Sequence, residues 1–455
     1  MDWHINSVMA AAAASLAGIA LSRILRPRVL ETHKRGPRLI DVAAPRRFMR
    51  RRKPLAEQLT LAGVPIPPLD ETKHFKLIGT TGTGKSTAIR ELLATAIVRG
   101  DRVIFADPDA SYLQRFYNRL RGDVVLNPFE PDAVKWDLFG EITNNYDIEQ
   151  LVSGLIADTQ DPSAREWRGY ARTFLSALIR RCHETRWTDA ANLWRLALVA
   201  PPEELRPLVA GTPAQPFLEV ENARMFGSIR SVAGSALAAL EYIQAQRAAP
   251  FSVRHWVRDG DRRSLLFVPY KASQIAALRS VIAAWLRLAI FEALSQTEGD
   301  HRLWFVIDEL DALGAIDGLK DALARLRKFG GRCVLSFQSL SQVAATYGGD
   351  APTILENCTN TLILRCSGGE NGGTSQFASK LIGEREIIRR QISRGADRAS
   401  GFSARSARRS RSITEQHVTE TAVMPSELEL LADMRGYLKL ASANHWLKVS
   451  LGKRS

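Results

Sequence analysis

A full-length transmembrane run is missing from the N-terminus of this 455-residue chain. The apolar stretch there, Val8 to Leu21, has fourteen residues, five of them the consecutive alanines Ala10 to Ala14. A bilayer span needs about twenty. No basic segment precedes the stretch, which argues against a secretory signal. Cysteine is scarce as well. Cys182, Cys333, Cys358 and Cys366 are the only four, and none shares a CxxC spacing. That excludes a disulfide framework or a zinc ribbon, and predicts buried thiols in a reducing, cytoplasmic body. The main body also lacks a strong charge of one sign. Residues 1 to 53 hold twelve Lys and Arg against three acids, a net of +9, so only +5 of the total +14 belongs to the other 402 residues. No repeat of fixed period is evident.

What the N-terminus does have is arginine. Arg23, Arg26, Arg28, Lys34, Arg35 and Arg38 follow the apolar stretch, and "RRFMRRRK" occupies 46 to 53. Basic residues on that flank favour keeping it cytoplasmic and attract anionic headgroups. Residues 1–25 therefore read as a marginal membrane anchor and 26–70 as a basic linker. The alternative is an alanine-rich helix followed by a solvated linker.

At 455 residues the chain suits two or three domains. "IGTTGTGKST", 78 to 87, is the first stretch that carries chemistry. Gly79, Thr80, Thr81, Gly82, Thr83, Gly84, Lys85, Ser86 and Thr87 form a phosphate cradle in this reading. The glycines let backbone N–H groups approach a polyphosphate. Lys85 supplies charge for the β- and γ-phosphates, and the Ser86 hydroxyl suits Mg²⁺. The apolar run before the loop and the helical pattern after it, ending near Gly100, give strand, glycine loop and helix. The helix N-terminus faces the phosphates. ATP and Mg²⁺ are the expected cofactors.

"RVIFADPD" (102–109), "DVVLNPF" (123–129), "SLLFVPY" (264–270), "RLWFVIDELDAL" (302–313), "RCVLSFQS" (332–339) and "NTLILRC" (360–366) read as further strands. Continuous apolar runs of this kind predict a parallel, doubly wound α/β sheet buried on both faces. From 144 to 249 strand runs nearly vanish and apolar residues recur at helical spacing, which predicts an all-helical insertion of about a hundred residues. Residues 71–143 and 250–455 then form the nucleotide domain. "RGADRASGFSARSARRSR", 394 to 411, is low-complexity, with six arginines and one acid, and reads as a mobile loop.

In α/β sheets ligands bind at the C-terminal edge of the strands. "LWFVIDE" delivers Asp308 and Glu309 there. Asp308 suits the Mg²⁺ shell, and Glu309 suits a general base that polarises the attacking water. A plain turn is the alternative. Gln338, at the end of the next strand, suits a sensor of the γ-phosphate. Arg365, at the end of the one after, suits an arginine finger across a subunit interface, in competition with Arg325, Arg327, Arg389 and Arg390. Together these describe a RecA-like P-loop ATPase core with an all-alpha insertion.

Five segments give this core a resemblance. They are 107–139 ("DPDASYLQRFYNRLRGDVVLNPFEPDAVKWDLF"), 165–179 ("REWRGYARTFLSALI"), 228–243 ("SIRSVAGSALAALEYI"), 251–257 ("FSVRHWV") and 423–440 ("VMPSELELLADMRGYLKL"). In this order they resemble the type IV secretion coupling proteins of conjugative DNA transfer, over about residues 70 to 450. The resemblance implies a homo-hexameric ring with ATP at its interfaces, on the cytoplasmic face of a bacterial inner membrane. It implies single-stranded DNA, relaxase and relaxosome proteins, and components of the secretion channel as partners. The family's two transmembrane helices are reduced here to one marginal segment at most: either the anchor is reduced or the chain begins inside a longer gene. The C-terminus carries no long acidic tail. Two other readings stay open: an FtsK- or HerA-like duplex DNA translocase or secretion-assembly ATPase, and a nucleotide-gated cargo adaptor. The arginines of 394–411 and 46–53 are candidate DNA contacts, with a solvated charge run as the alternative.

Overall fold

A computed structural model describes residues 28–42, 57–159, 161–260, 263–369, 372–396 and 409–452. The apolar stretch Val8 to Leu21 and "RRFMRRRK" lie outside the described residues. Among the described residues no helix is long and apolar enough to cross a membrane. The chain divides into a smaller unit drawn from Met1–Ile40 and Ser379–Met424, and a larger one from Asp41–Ala378 and Pro425–Ser455.

The larger unit is built on one sheet. Its strands are β1 (Phe75–Ile78), β2 (Arg102–Pro108), β3 (Val124–Val125), β4 (Leu266–Tyr270), β5 (Leu303–Ile307), β6 (Gly331–Phe337), β7 (Asn360–Ile363), β8 (Arg435–Lys439) and β9 (His445–Ser450). They lie in the order β9-β8-β7-β1-β6-β5-β2-β4-β3. From β7 to β3 all neighbours are parallel, whereas β8 and β9 add an antiparallel edge. Every residue of β1, β4, β5 and β6 is buried, which is why β4 and β5 appear as unbroken apolar runs, while β1 and β6 bury Lys76, Arg332 and Ser336 among apolar neighbours. The core under them joins Phe75, Leu77, Phe105, Trp304, Val306 and Val334 to Leu92 and Leu93. The two leucines lie on helix α1 (Lys85–Arg99), which stops at Gly100 in a left-handed conformation. All four cysteines are buried and unbonded. Burial pushes the Cys182 thiol up to about 11 and the Cys358 and Cys366 thiols up to about 12.

The helical stretch is confirmed as secondary structure. Helices α2 (Asn145–Leu155), α3 (Pro162–Glu184), α4 (Ala190–Leu198), α5 (Pro202–Val209) and α6 (Ala223–Ala245) follow one another, with no strand between Trp136 and Pro250 among the described residues. It does not separate as a unit of its own. Helix α7 (Ile275–Leu294), buried on most of its faces, packs on both α2 and α6. The two ends of the stretch are also stapled together. Lys135–Trp136 pairs in parallel with Pro250–Phe251. The buried Glu141 carboxylate accepts from Trp136 Nε1 at 2.9 Å on one side. On the other it accepts from Val253 N at 2.7 Å, Arg254 N at 3.0 Å and Ser252 Oγ at 2.9 Å. Arg254, 7% exposed, pairs with the 2% exposed Asp147 of α2. Burial raises the Asp147 pKa, but the Arg254 guanidinium and the Asn144 and Thr143 amides outweigh it and hold the carboxyl below its usual range.

The smaller unit corrects one expectation. Glu384–Ala396 and Arg409–Thr421 are the two strands of an antiparallel hairpin, in register from Glu384↔Thr421 to Ala396↔Arg409. Arg28–Arg35, expected as linker, pairs along its first strand. Both ends of the supposed loop 394–411 therefore belong to strands, and residues 397–408 lie outside the described residues. The hairpin carries cross-strand ion pairs, Arg385 with Glu420 and Arg390 with Glu415, and Arg389 reaches Glu31 on the third strand.

Removing Arg254 strands a buried carboxylate. Arg254→Ala is expected to cost about 3 to 5 kcal/mol in urea unfolding, whereas Arg195→Ala, which breaks the exposed pair with Glu204, leaves the midpoint unchanged.

Candidate functional site

The strand β1 releases the chain at Gly79 into the glycine loop. The loop is fastened at its start by two neighbouring strands. Gly79 N donates to Phe337 O at 3.3 Å, and Thr80 N donates to Arg365 O at 2.8 Å. Inside the loop, Thr83 Oγ1 donates to Thr80 O at 2.7 Å. Gly82 and Gly84 have φ of +76° and +112°, values that side chains rarely adopt. At Gly84 a Cβ would also meet Leu451 and Met434 at 2.8 Å. These two residues come from the antiparallel edge, and Met434 N donates to Thr83 O at 3.0 Å. The far end of the chain thus braces the loop.

Lys85 and Ser86 open helix α1. Lys85 is 7% exposed, and its ammonium donates to Gly79 O at 2.7 Å and Thr80 O at 3.2 Å. Burial lowers its pKa, and Asp308 and Glu309 oppose that shift. Ser86 Oγ donates to Asp308 Oδ2 at 2.9 Å. The predicted pairing of loop and acidic strand end is therefore a direct contact. Asp308 is 3% exposed and receives two further donors, Tyr112 OH at 2.7 Å on the same oxygen and Ser336 Oγ on the other.

Glu309 follows in a left-handed conformation, φ +65°, which a side-chain-bearing residue adopts only under constraint. Its N–H donates to Ser336 Oγ at 3.4 Å and the next N–H, of Leu310, to Ser336 O at 2.9 Å. The bend turns the Glu309 carboxylate toward Gln338. Burial, then the Asp308 charge, raises its pKa. The Gln338 amide links both parts: Nε2 donates to Glu309 Oε1 at 2.8 Å and Oε1 accepts from Thr81 Oγ1 at 2.7 Å.

Arg365 is placed differently from Gln338. Its guanidinium pairs with Asp433 Oδ1 at 2.7 Å, and its contact with the loop is the carbonyl that receives Thr80 N. Arg325 and Arg327 are exposed on and just after the helix Leu319–Leu326. Arg389 and Arg390 belong to the smaller unit, in ion pairs of the hairpin. Sequence reasoning missed Tyr112, Ser336 and Asp107. Asp107 is fully buried at the end of β2. Burial lifts its pKa to about 6, against hydrogen bonds from Tyr112 N and Leu113 N that lower it and with the Asp308 charge adding to the rise. The acidic end of "RVIFADPD" was the available signal for Asp107; nothing in the sequence singles out the other two.

The residues fit a nucleoside polyphosphate with a hard cation. The loop is a cradle that a Cβ at Gly84 would fill. The Lys85 ammonium sits on carbonyl oxygens that phosphate oxygens replace naturally. Ser86 and Asp308 place two oxygens together, the partial shell that Mg²⁺ completes with phosphate and water. Among the described residues no group of three His, Cys, Asp or Glu forms an all-protein metal site.

A family model described as the type IV secretion-system coupling protein DNA-binding domain matches residues 58–452. The coupling protein TraD of Escherichia coli (strain K12) is 30% identical over 403 residues, covering 86% of this chain and 54% of that protein. The chain thus spans about half the length of TraD. The conjugal transfer protein TraG of Escherichia coli is 28% identical over 130 residues, 28% of this chain and 19% of TraG. Among solved structures, the unbound bacterial conjugative coupling protein TrwBdeltaN70 superposes with a TM-score of 0.80 at 30% identity, over 93% of this chain and 94% of that one. The plasmid coupling protein TrwB in complex with ADP and Mg²⁺ superposes with a TM-score of 0.79 at 29% identity, over 93% and 94%.

The two constrained glycines should differ. Gly84→Ala adds a steric collision to backbone strain of about 1 to 3 kcal/mol and is expected to lower the unliganded melting temperature. Gly82→Ala, with nothing within 4 Å of its Cβ, lowers it less.

Proposed function

The chain belongs to the type IV secretion-system coupling protein family, and from that premise we propose that it is an ATP-hydrolysing, DNA-stimulated motor that recruits a relaxase–DNA complex and drives single-stranded DNA toward a secretion channel. The observation that carries the ATPase part is the unbroken contact between loop and strand ends: Ser86 on Asp308, and Gln338 between Thr81 and Glu309. Relatives solved with the ATP analogue ADPNP and with ADP and Mg²⁺ support the same choice of ligand.

ATP bound with Mg²⁺ supplies a γ-phosphoryl group for transfer to water. The N–H groups from Thr81 to Thr87 are the ones left to line the phosphates, because those of Gly79 and Thr80 are bonded to Phe337 O and Arg365 O. Lys85 exchanges two backbone carbonyls for phosphate oxygens and neutralises charge there. Ser86 and Asp308 are the residues that would hold the cation. Glu309 accepts the proton of the attacking water. Its raised pKa makes it a stronger base than an ordinary glutamate. Gln338 orients Glu309 and touches the loop, so a change at the γ-phosphate position reaches both. In this reading Arg365 serves a neighbouring subunit's nucleotide only when Asp433 releases it. Within its own chain it fixes the start of the loop through its carbonyl.

The DNA, relaxase and channel partners, the homo-hexameric ring and attachment to the inner membrane through the N-terminus complete the proposal. Their support is family membership, and for DNA also the matched domain.

ATPase turnover measured with and without single-stranded DNA tests the motor, and turnover is expected to rise with DNA. Unstimulated turnover at protein concentrations where rings form would contradict it. Lys85→Ala is expected to abolish nucleotide-dependent turnover. Glu309→Gln should lower kcat by about 10² to 10⁴-fold. The wild-type rate should fall on the acid side as Glu309 protonates. Burial and the Asp308 charge raise its pKa in the unliganded protein, and an acid limb that persists unchanged in Glu309→Gln would remove Glu309 as the base.

A further inference from the structure

Asp308 receives its hydrogen bonds from three different segments. Ser86 comes from the glycine loop, Ser336 from the adjoining strand β6, and Tyr112 from the turn after β2. The turn is unusual. Asp109 and Ala110 both have left-handed backbones, φ +57° and +56°, a conformation that costs energy and persists only where its surroundings enforce it. The enforcement is visible. Asp109 N donates to Tyr270 O at 2.8 Å. Both oxygens of the fully buried Asp107 accept from Tyr112 N at 3.0 Å, and Oδ2 also accepts from Leu113 N at 2.7 Å. The Tyr112 ring is stacked on Phe105, with centroids 5.1 Å apart and 19° between planes. The ring is wholly buried. All of this delivers one hydroxyl to Asp308 Oδ2, the same oxygen that Ser86 meets.

We propose that Tyr112 is a positioning residue of the nucleotide site, its hydroxyl holding the Asp308 carboxylate in the orientation that faces Ser86 and so presetting the cation-binding pair. The inference rests on the nucleotide-site reading above. Ser86 is the donor whose oxygen a cation competes for. Once that oxygen turns to the metal, Tyr112 and Ser336 are the groups that keep the carboxylate from rotating. A partner that orients a metal-binding carboxylate is typically worth a factor of about 10 to 100 in metal affinity.

The test is a Mg²⁺ titration of wild type and Tyr112→Phe at fixed ADP, read as the rise in melting temperature, with ADP in EDTA as control. Phenylalanine keeps the ring on Phe105 and removes only the hydroxyl. The Mg²⁺ concentration giving half the shift is expected to rise about tenfold, while the shift produced by ADP in EDTA stays the same. In an Asp308→Asn background the Tyr112→Phe change should add nothing to the Mg²⁺ midpoint. An unchanged midpoint in the single variant would overturn the inference. So would a loss of the EDTA shift as large as the loss with Mg²⁺, because a general structural defect produces that pattern. A wild type whose melting responds to ADP neither with nor without Mg²⁺ would overturn the nucleotide site itself and this inference with it.

Discussion

A buried ammonium organises the nucleotide face of the sheet. Lys85 begins its helix, points back under the glycine loop and rests on the Gly79 and Thr80 carbonyls. Burial disfavours its charge, and the Asp308 and Glu309 carboxylates compensate from across the site. That compensation requires β5 to end close to the loop. It does so although β6 lies between β5 and β1. The intervening strand contributes as well: Ser336 bonds both Asp308 and the Glu309 amide, and Gln338 closes the circuit to Thr81. Three strand ends and one loop therefore share a single polar network around one cation.

The rest of the larger unit holds that network in place. Met434 and Leu451, from the antiparallel edge, press on Gly84, so residues hundreds of positions downstream restrict the loop's path. The helical stretch is tied in at its base rather than hung on a flexible stalk. Glu141 clasps both junctions, and the buried Arg254–Asp147 pair fixes the first helix beside the second junction. Arg287 of α7 reaches Gln150 of α2 and Asp317, which lies beyond Glu309 in the same loop region. Arg287 thus ties the helical stretch to the segment that follows the Asp308–Glu309 strand end.

Much of this was legible in the chain alone, for identifiable reasons. A strand buried on both faces is mostly apolar, so β4 and β5 announce themselves, and β1 and β6 do so although they carry the buried Lys76, Arg332 and Ser336. The glycine loop is legible because few residues tolerate φ near +76° or +112°. Asp308 and Glu309 are legible by their place at a strand end. The hairpin Glu384–Thr421 was not, because its strands are polar and arginine-rich and their pairing is carried by the backbone register. Tyr112 was not, because a lone aromatic in "DASYLQ" has no periodicity; its role depends on a turn that Asp107 holds from five residues away. Arg365 reads as a free strand-end cation until Asp433, far along the chain, is seen to hold it.

The structure of this chain with a non-hydrolysable ATP analogue and Mg²⁺ tests the account most directly. The account predicts that Lys85 Nζ leaves the Gly79 and Thr80 carbonyls for the phosphate oxygens, with the cation between Ser86 and Asp308 and Glu309 facing the γ-phosphate. A nucleotide bound elsewhere, or a Lys85 that stays on its carbonyls with the analogue in place, would contradict it.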